Sequence, residues 1–258
     1  MSKRQSDTTF KPLTGNRFRF RCHKEIRCFT RCCADLNLVL TPYDLVRMKR
    51  RLGISSSDFL NKHTNTTMDS HPRFPMVKLR MSQDEKRTCP FVTSNGCTIY
   101  EDRPAACRIY PLGRAASKPD GWMHTLEKLF IVDEEHCLGF LEDREWTVEE
   151  WLSNEGVGEY DAMNEQWLEI ITSSKSLGPE KDIPQKIQMF FMACYNLDKF
   201  RRFMLESRFL DLFEVESDLK DKLAIDDVQL MKFAFRWLKF CLFGEHTIQM
   251  KPEAIPLS

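Results

Sequence analysis

Eight cysteines crowd the first 137 residues of this 258-residue chain: Cys22, Cys28, Cys32, Cys33, Cys89, Cys97, Cys107 and Cys137. An ionised thiol is a soft ligand, suited to zinc and to iron–sulfur clusters. Packing so many neutral thiols side by side would be an odd use of core volume. Bound to a metal, they neutralise the cation and organise loops that have little hydrophobic core of their own. Two competing readings are ordinary burial and thiol–disulfide exchange, the latter favoured by the adjacent pair Cys32-Cys33.

Spacing bears on the metal. Zinc ribbons and fingers usually present C-x2-C or C-x4-C knuckles, and no C-x2-C occurs anywhere in this chain. Cys28-x3-Cys32-Cys33 puts three thiols within six residues, two of them sequential. The side chains of sequential cysteines diverge, so one tetrahedral ion takes both poorly. A multi-iron cluster, or two neighbouring sites, takes them better. An iron–sulfur cluster is therefore the preferred cofactor and zinc the alternative.

His23 and His136 each adjoin a clustered cysteine and are secondary ligand candidates. His63, His71, His124 and His246 read as surface or loop residues. Arg103 and Arg108 flank Cys107, where they could offset thiolate charge or hold an anionic partner. The plainer reading is a salt bridge from Asp102 that sets the turn. Pro90, Pro104 and Pro111 stiffen the ligand loops. Cys194 and Cys241 fall on apolar helical faces and read as small core residues.

These loops need elements to hold them. Thr41 as cap, Pro42 in the first turn, Leu45, Met48 and Leu52 on one face and Gly53 as a stop predict a helix. Ser56 or Ser57 can cap a second, through Phe59 and Leu60. Val77, Leu79 and Met81 alternate as in a strand, and Leu126 to Val132 suggest another. Ala116 to Gly121 reads as a loop. Beyond residue 142 the pattern is helical. Thr147-Val148-Glu149-Glu150 is a capping box, and Tyr160, Met163, Trp167, Leu168 and Ile171 follow at helical spacing. Ser173 to Pro184 reads as a loop. Ile187, Phe190, Phe191, Cys194 and Leu197 form a further helical set, as do Leu230, Ala234, Trp237 and Cys241 before Gly244.

Formal net charge is zero, so the whole molecule gives no sign of a polyanion partner, and nucleic acid is not expected. The balance is uneven along the chain. Residues 1–55 carry 13 Lys/Arg against 4 Asp/Glu, and residues 142–182 carry 12 Asp/Glu against 3 Lys/Arg. The simplest consequence is that the two segments meet across the fold. No secretory signal and no membrane span are expected, since no run approaches about 18 apolar residues. A cytoplasmic location follows, where thiols stay reduced and metal ligation precedes disulfides.

Together, Cys28-x3-Cys32-Cys33, Cys89-Pro90-Phe91, Gly96-Cys97-Thr98-Ile99-Tyr100 and Arg103-Pro104-x2-Cys107-Arg108-x2-Pro111 resemble the YkgJ-type cysteine-cluster family. That family is described as zinc- or iron-chelating and includes flagellin lysine N-methylases. The resemblance spans roughly Phe18 to Gly113 and implies Cys28, Cys32, Cys33, Cys89, Cys97 and Cys107 as ligands. Family members often read Cys-x2-Cys-x2-Cys-Cys at the first cluster, where this chain has Cys22-x5-Cys28-x3-Cys32-Cys33. Cys22 and Cys137 join the set on composition.

The expected architecture is α+β but mostly helical. An irregular, metal-stapled N-terminal region (18–141) packs on a C-terminal helical layer (142–258), the two forming one cooperative unit. The expected function is metal binding with a structural or electron-transfer role. A flagellin N-methylase-like protein methyltransferase is the enzyme alternative, and a zinc-stabilised interaction module the third. No Gly-rich turn after a strand marks a nucleotide-type cofactor pocket. Catalytic residues, and the protein partner or substrate, have no signature in the sequence.

Overall fold

The computed structural model describes residues 8–117 and 126–252. Strands β1 (Thr8–Pro12), β2 (Arg17–Arg19) and β3 (Val39–Leu40) lead into helices α1 (Pro42–Leu52) and α2 (Ser56–His63). Then come β4 (Thr64–Thr67), β5 (Met76–Leu79), β6 (Val92–Thr93), β7 (Gly96–Cys97), the short α3 (Ala105–Ile109), β8 (Leu112–Ser117), β9 (Leu126–Glu134) and β10 (Glu145–Thr147). The rest is helical: α4 (Val148–Asn154), α5 (Val157–Thr172), α6 (Ile183–Tyr195), α7 (Leu197–Glu206), α8 (Phe209–Leu212), α9 (Ser217–Ile225) and α10 (Asp227–Phe243). The fold is α+β and mostly helical, with small antiparallel sheets ordered β1-β9-β8 and β3-β5-β4 and the pairs β10-β2 and β6-β7.

The expected end signals act at α1, where Thr41 Oγ1 accepts from Asp44 N at 3.2 Å and Asp44 Oδ2 accepts from Thr41 N at 2.8 Å. Gly53 closes it at φ 64°. The capping box at Thr147 and the stop at Gly244 also form.

Four local expectations shift. Ser55, rather than Ser56 or Ser57, caps α2, accepting from Asp58 N at 3.0 Å. Ser56 N is drawn to Asp198 at 2.5 Å instead, because α7 delivers a carboxylate to that helix end. The loop after Ser173 is shorter than expected, since Pro184 fits the first turn of α6. Leu197 belongs to α7, which Asn196 caps. Ala116 and Ser117 extend β8 by pairing with Glu127 and Leu126, while Lys118 to Gly121, with His124, lie outside the described residues.

The main core draws on both parts of the chain, from Leu40, Leu45, Met48, Phe59, Phe74 and Val77 to Tyr160, Phe190, Tyr195, Phe200 and Phe235. A smaller core of Phe20, Ile109, Leu112, Trp151 and Val157 lies under the outer sheets. The basic and acidic segments meet through Arg17–Glu145 and Arg47–Glu159, each at 3.2 Å. A deeper ionic knot joins α1, α7 and α10. Lys49, only 5% exposed, places Nζ 2.9 Å from Asp227 and 3.3 Å from Asp198, and Arg201 bonds both carboxylates. Among the described residues, no helix is long and apolar enough to cross a membrane.

Candidate metal centre

The cysteine segments are short and add few side chains to the core, Phe91 and Ile99 among them, and backbone hydrogen bonds tie them together. Thr30, at φ 65°, reverses the chain so that Cys33 N donates to Thr30 O at 3.0 Å. Cys33 O then accepts from Cys89 N at 2.8 Å, and Ala34 bridges Thr88, so the first two cysteine loops run side by side. Cys97 is delivered by the tight β6-β7 hairpin, where it pairs with Val92. Gly96 takes φ 108° there, and a Cβ would stand 3.3 Å from the Phe29 ring, so the turn needs glycine twice over. Cys107 rides on α3, whose N-terminal Ala105 N–H donates to the buried Asp44 carboxylate at 2.8 Å. Cys137 follows a turn closed by its own N–H on Glu134 O at 2.8 Å.

The electrostatics sort the thiols into two groups that meet at Cys32. Cys22 is exposed as a residue, but desolvation of its sulfur and the neighbouring Cys32, Cys28 and Cys137 thiols push it up to about 11. Cys137 is raised by burial first, with Cys28 and Cys32 adding to it and the Tyr110 hydroxyl opposing. On the other side, burial raises Cys107 most, followed by Cys89, Asp44, Cys97 and Cys32. Cys89 and Cys97 are raised by burial too, Cys89 further by Cys97, while the Arg103 guanidinium pulls Cys97 back. Cys32 itself is raised strongly, first by its hydrogen bond to Cys33 and then by burial. Cys28 Sγ accepts the Leu138 N–H at 3.3 Å.

All eight predicted cysteines therefore belong to this region. Among the described residues, no group of three or more His, Cys, Asp or Glu side chains is gathered closely enough to hold a metal ion. The donor chemistry suits a metal nonetheless: burial, and repulsion between neighbouring thiolates, oppose ionisation of Cys22, Cys107 and Cys137, and a bound cation would offset that cost. Cys22, Cys28 and Cys137 stand on one side of Cys32 and Cys89, Cys97 and Cys107 on the other, with Cys33 tied to Cys89 through the backbone.

The secondary ligand candidates face carboxylates. His23 Nδ1 lies 3.0 Å from Glu25 and Nε2 3.4 Å from Glu142, and His136 Nε2 lies 3.4 Å from Glu134. His71 is structural, its Nδ1 accepting from Arg73 N and Phe74 N at 3.1 Å. The expected Asp102 salt bridge exists with a different partner: Asp102 pairs with Arg47 at 2.8 Å. Arg103 pairs with Glu155 and stacks on Tyr100, its Cζ 3.7 Å from the ring centroid. Arg108 is held by the carbonyls of Glu155 and Glu101 over the Tyr160 ring. Long-range packing chose these partners over the sequence neighbour.

Two site residues escaped the sequence reading. Asp44 sits 1% exposed and is pushed up to about 6, burial outweighing the N–H groups of Ala105 and Thr41 and the Arg108 charge. Tyr110 bonds the Cys137 thiol and lies 3.2 Å from Glu134 through its hydroxyl. Its place beside Arg108 and Pro111 was the available signal.

Cys194 is fully buried and Cys241 half-buried, both among apolar residues of the helical layer. Cys194→Ala and Cys241→Ala are expected to keep the wild-type metal content and to lose about 1 kcal/mol of stability each. Metal analysis and urea denaturation of both variants check this, and metal loss in either would redraw the ligand boundary.

No curated protein and no solved structure matches the chain. One family model does match it, that of the CxxCxxCC family, whose description reads "Putative zinc- or iron-chelating domain", over residues 21–137. The match takes in all eight clustered cysteines and ends on Cys137, so the cysteine-bearing region of this chain is similar to that zinc- or iron-chelating domain.

Proposed function

We propose that the protein holds an iron–sulfur centre in the cysteine loops, serving a structural or electron-transfer role. The supporting observation is the position of Cys32, which acts electrostatically on Cys22 and Cys137 in one group and on Cys107 in the other. A structural zinc ion needs four ligands and leaves the rest unexplained. A polynuclear cluster, or two neighbouring centres, uses the whole set. The bound metal would staple loops that backbone hydrogen bonds and a few core contacts such as Phe91 and Ile99 now hold. Asp44 and Glu155 anchor the arginine-bearing α3 side of the site, and Arg103 places positive charge toward Cys97. Anaerobic purification followed by iron, acid-labile sulfide and visible spectroscopy tests the proposal. Iron with stoichiometric sulfide is expected, and a colourless protein with stoichiometric zinc would overturn the choice of metal.

Metal uptake should depend steeply on pH. Burial raises Cys22, Cys89, Cys97, Cys107 and Cys137, with neighbouring thiols adding to it at all but Cys97, and the hydrogen bond to Cys33 followed by burial raises Cys32, so these thiols are protonated near neutrality without metal. Each thiol that binds must release its proton, so apparent affinity rises as pH rises. With Cys22 near 11, the rise continues through the whole neutral range. Competition against a chromophoric chelator at several pH values measures the slope, and a flat profile would mean that few thiols ligate.

A further inference from the structure

The sheet beside the cysteine loops carries a polar face that metal binding does not use. In β3-β5-β4, Leu40, Val77 and Leu79 turn into the core. Alternation along the strands places Lys78 opposite Asn65 on the other face. Arg80 N continues the pairing by donating to His63 O at 2.8 Å. Residues 35–37 and the 82–87 segment wall that face and enclose a groove of about 720 Å³, a volume ordinary for small-molecule sites. Its walls are the far ends of the two cysteine loops, joined by Asp35 N on Arg87 O at 3.0 Å, two residues from Cys33 and from Cys89.

The charges in this groove do not cancel. Asp35 is taken by Arg87 at 2.9 Å, and Asp84 accepts the Thr88 N–H at 2.8 Å. Arg80 is held only by neutral acceptors, the carbonyls of Asn61, Lys62 and Thr64 and the Asn65 side chain. Lys78 has no ion pair among the described residues and is half-buried in the groove. Two cations thus face the cavity without a carboxylate of their own, and Asn37, Thr67, Ser82 and Gln83 supply hydroxyl and amide groups around them.

We propose that this groove binds a small hydroxylated molecule bearing an oxyanion, a phosphate or a carboxylate, with Lys78 as its principal charge partner. Charge-assisted hydrogen bonds from a partly desolvated ammonium favour that group over a neutral one. The probes are glucose 6-phosphate, gluconate and neutral glucose, titrated into the full-length protein as purified, with metal content measured on the same samples. Saturable binding of one or both charged sugars, with none of glucose, is the expected result, and their ranking identifies the oxyanion. Lys78→Gln should weaken that binding by about tenfold, as loss of a charged hydrogen bond would, and leave metal content unchanged. Absence of saturable binding, equal binding of glucose, or an unchanged affinity in Lys78→Gln would overturn the proposal. Anion binding by a protein that carries no metal would leave this site standing and count against the metal centre alone.

Discussion

Replacing Cys32 with serine is expected to strip most of the bound metal and to loosen the loops of residues 21–137, the largest effect of any single substitution here. Cys32 is the thiol common to both groups, and its partner in direct contact is Cys33. A serine hydroxyl does not ionise near neutrality and is a hard, poor substitute for thiolate. Because the cysteine-bearing loops themselves bury few apolar side chains, lost metal affinity is lost folding free energy, and structural metal sites contribute about 10 kcal/mol or more in total. Removing one shared ligand should therefore cost several kcal/mol locally, on the order of a third of that total. Cys33→Ser should behave similarly. The helical layer built on Phe190, Phe200, Phe235 and Trp237 is anchored in the main core and should keep most of its helicity. Metal analysis, limited proteolysis and circular dichroism on the two variants decide the matter. Wild-type metal content and protease resistance in both would remove the pair from the ligand set and leave redox exchange as the explanation of adjacent thiols.

The second large effect lies away from the cysteines. Lys49→Ala is expected to lower global stability by about 3–5 kcal/mol, the range for removing one partner of a buried ion pair. Asp198 and Asp227 would remain in the knot with Arg201 alone, two carboxylates sharing one cation. Lys49→Met, which keeps the buried stem but not the charge, should be almost as damaging, showing that the ion rather than the packing matters. The pH dependence has a definite sign. Burial tends to raise both carboxyls, but Ser56 and Lys49 at Asp198, and Arg201 and Lys49 at Asp227, outweigh it and hold them below the usual carboxylate range. Groups depressed by folding add stability above their unfolded pKa of about 3.9 and lose it as pH falls through the folded value. Acid should therefore erode the difference between wild type and Lys49→Ala. Urea denaturation of both proteins at neutral and acid pH checks it. A gap that stays constant would assign the loss to packing.

How much of this was legible in the sequence follows from the range of the interactions concerned. Helix ends are local: Thr41, Pro42, Asp44 and Gly53 settle α1 within a dozen residues, and Thr147 with Glu150 settles α4 in the same way. The apolar period of α5 and α10 named the faces that became the core. The density of thiols, with Pro and Arg fixed beside them, was enough to assign the chemistry of residues 21–137, since soft ligands at that density have few other uses.

Tertiary structure decided everything that joins distant segments. Asp102 turned from Arg103, its neighbour, to Arg47, because α1 lies against the turn at Tyr100–Asp102 and leaves Arg103 facing Glu155. Ser55 took the capping role expected of Ser56, whose N–H and hydroxyl go to Asp198, 142 residues away. Asp44, which the sequence marked only as a residue of the first turn of α1, is also the anchor of the helix that carries Cys107. The division of eight thiols into two groups around Cys32 could not be read from spacing, since it depends on Cys33 pairing with Cys89 and on β9 returning Cys137 beside Cys28. Residue types and short periods fix which chemistry and which helices exist. Which charges meet, and which sulfurs stand together, is set by the packing of segments whose separation along the chain carries no trace of their separation in space.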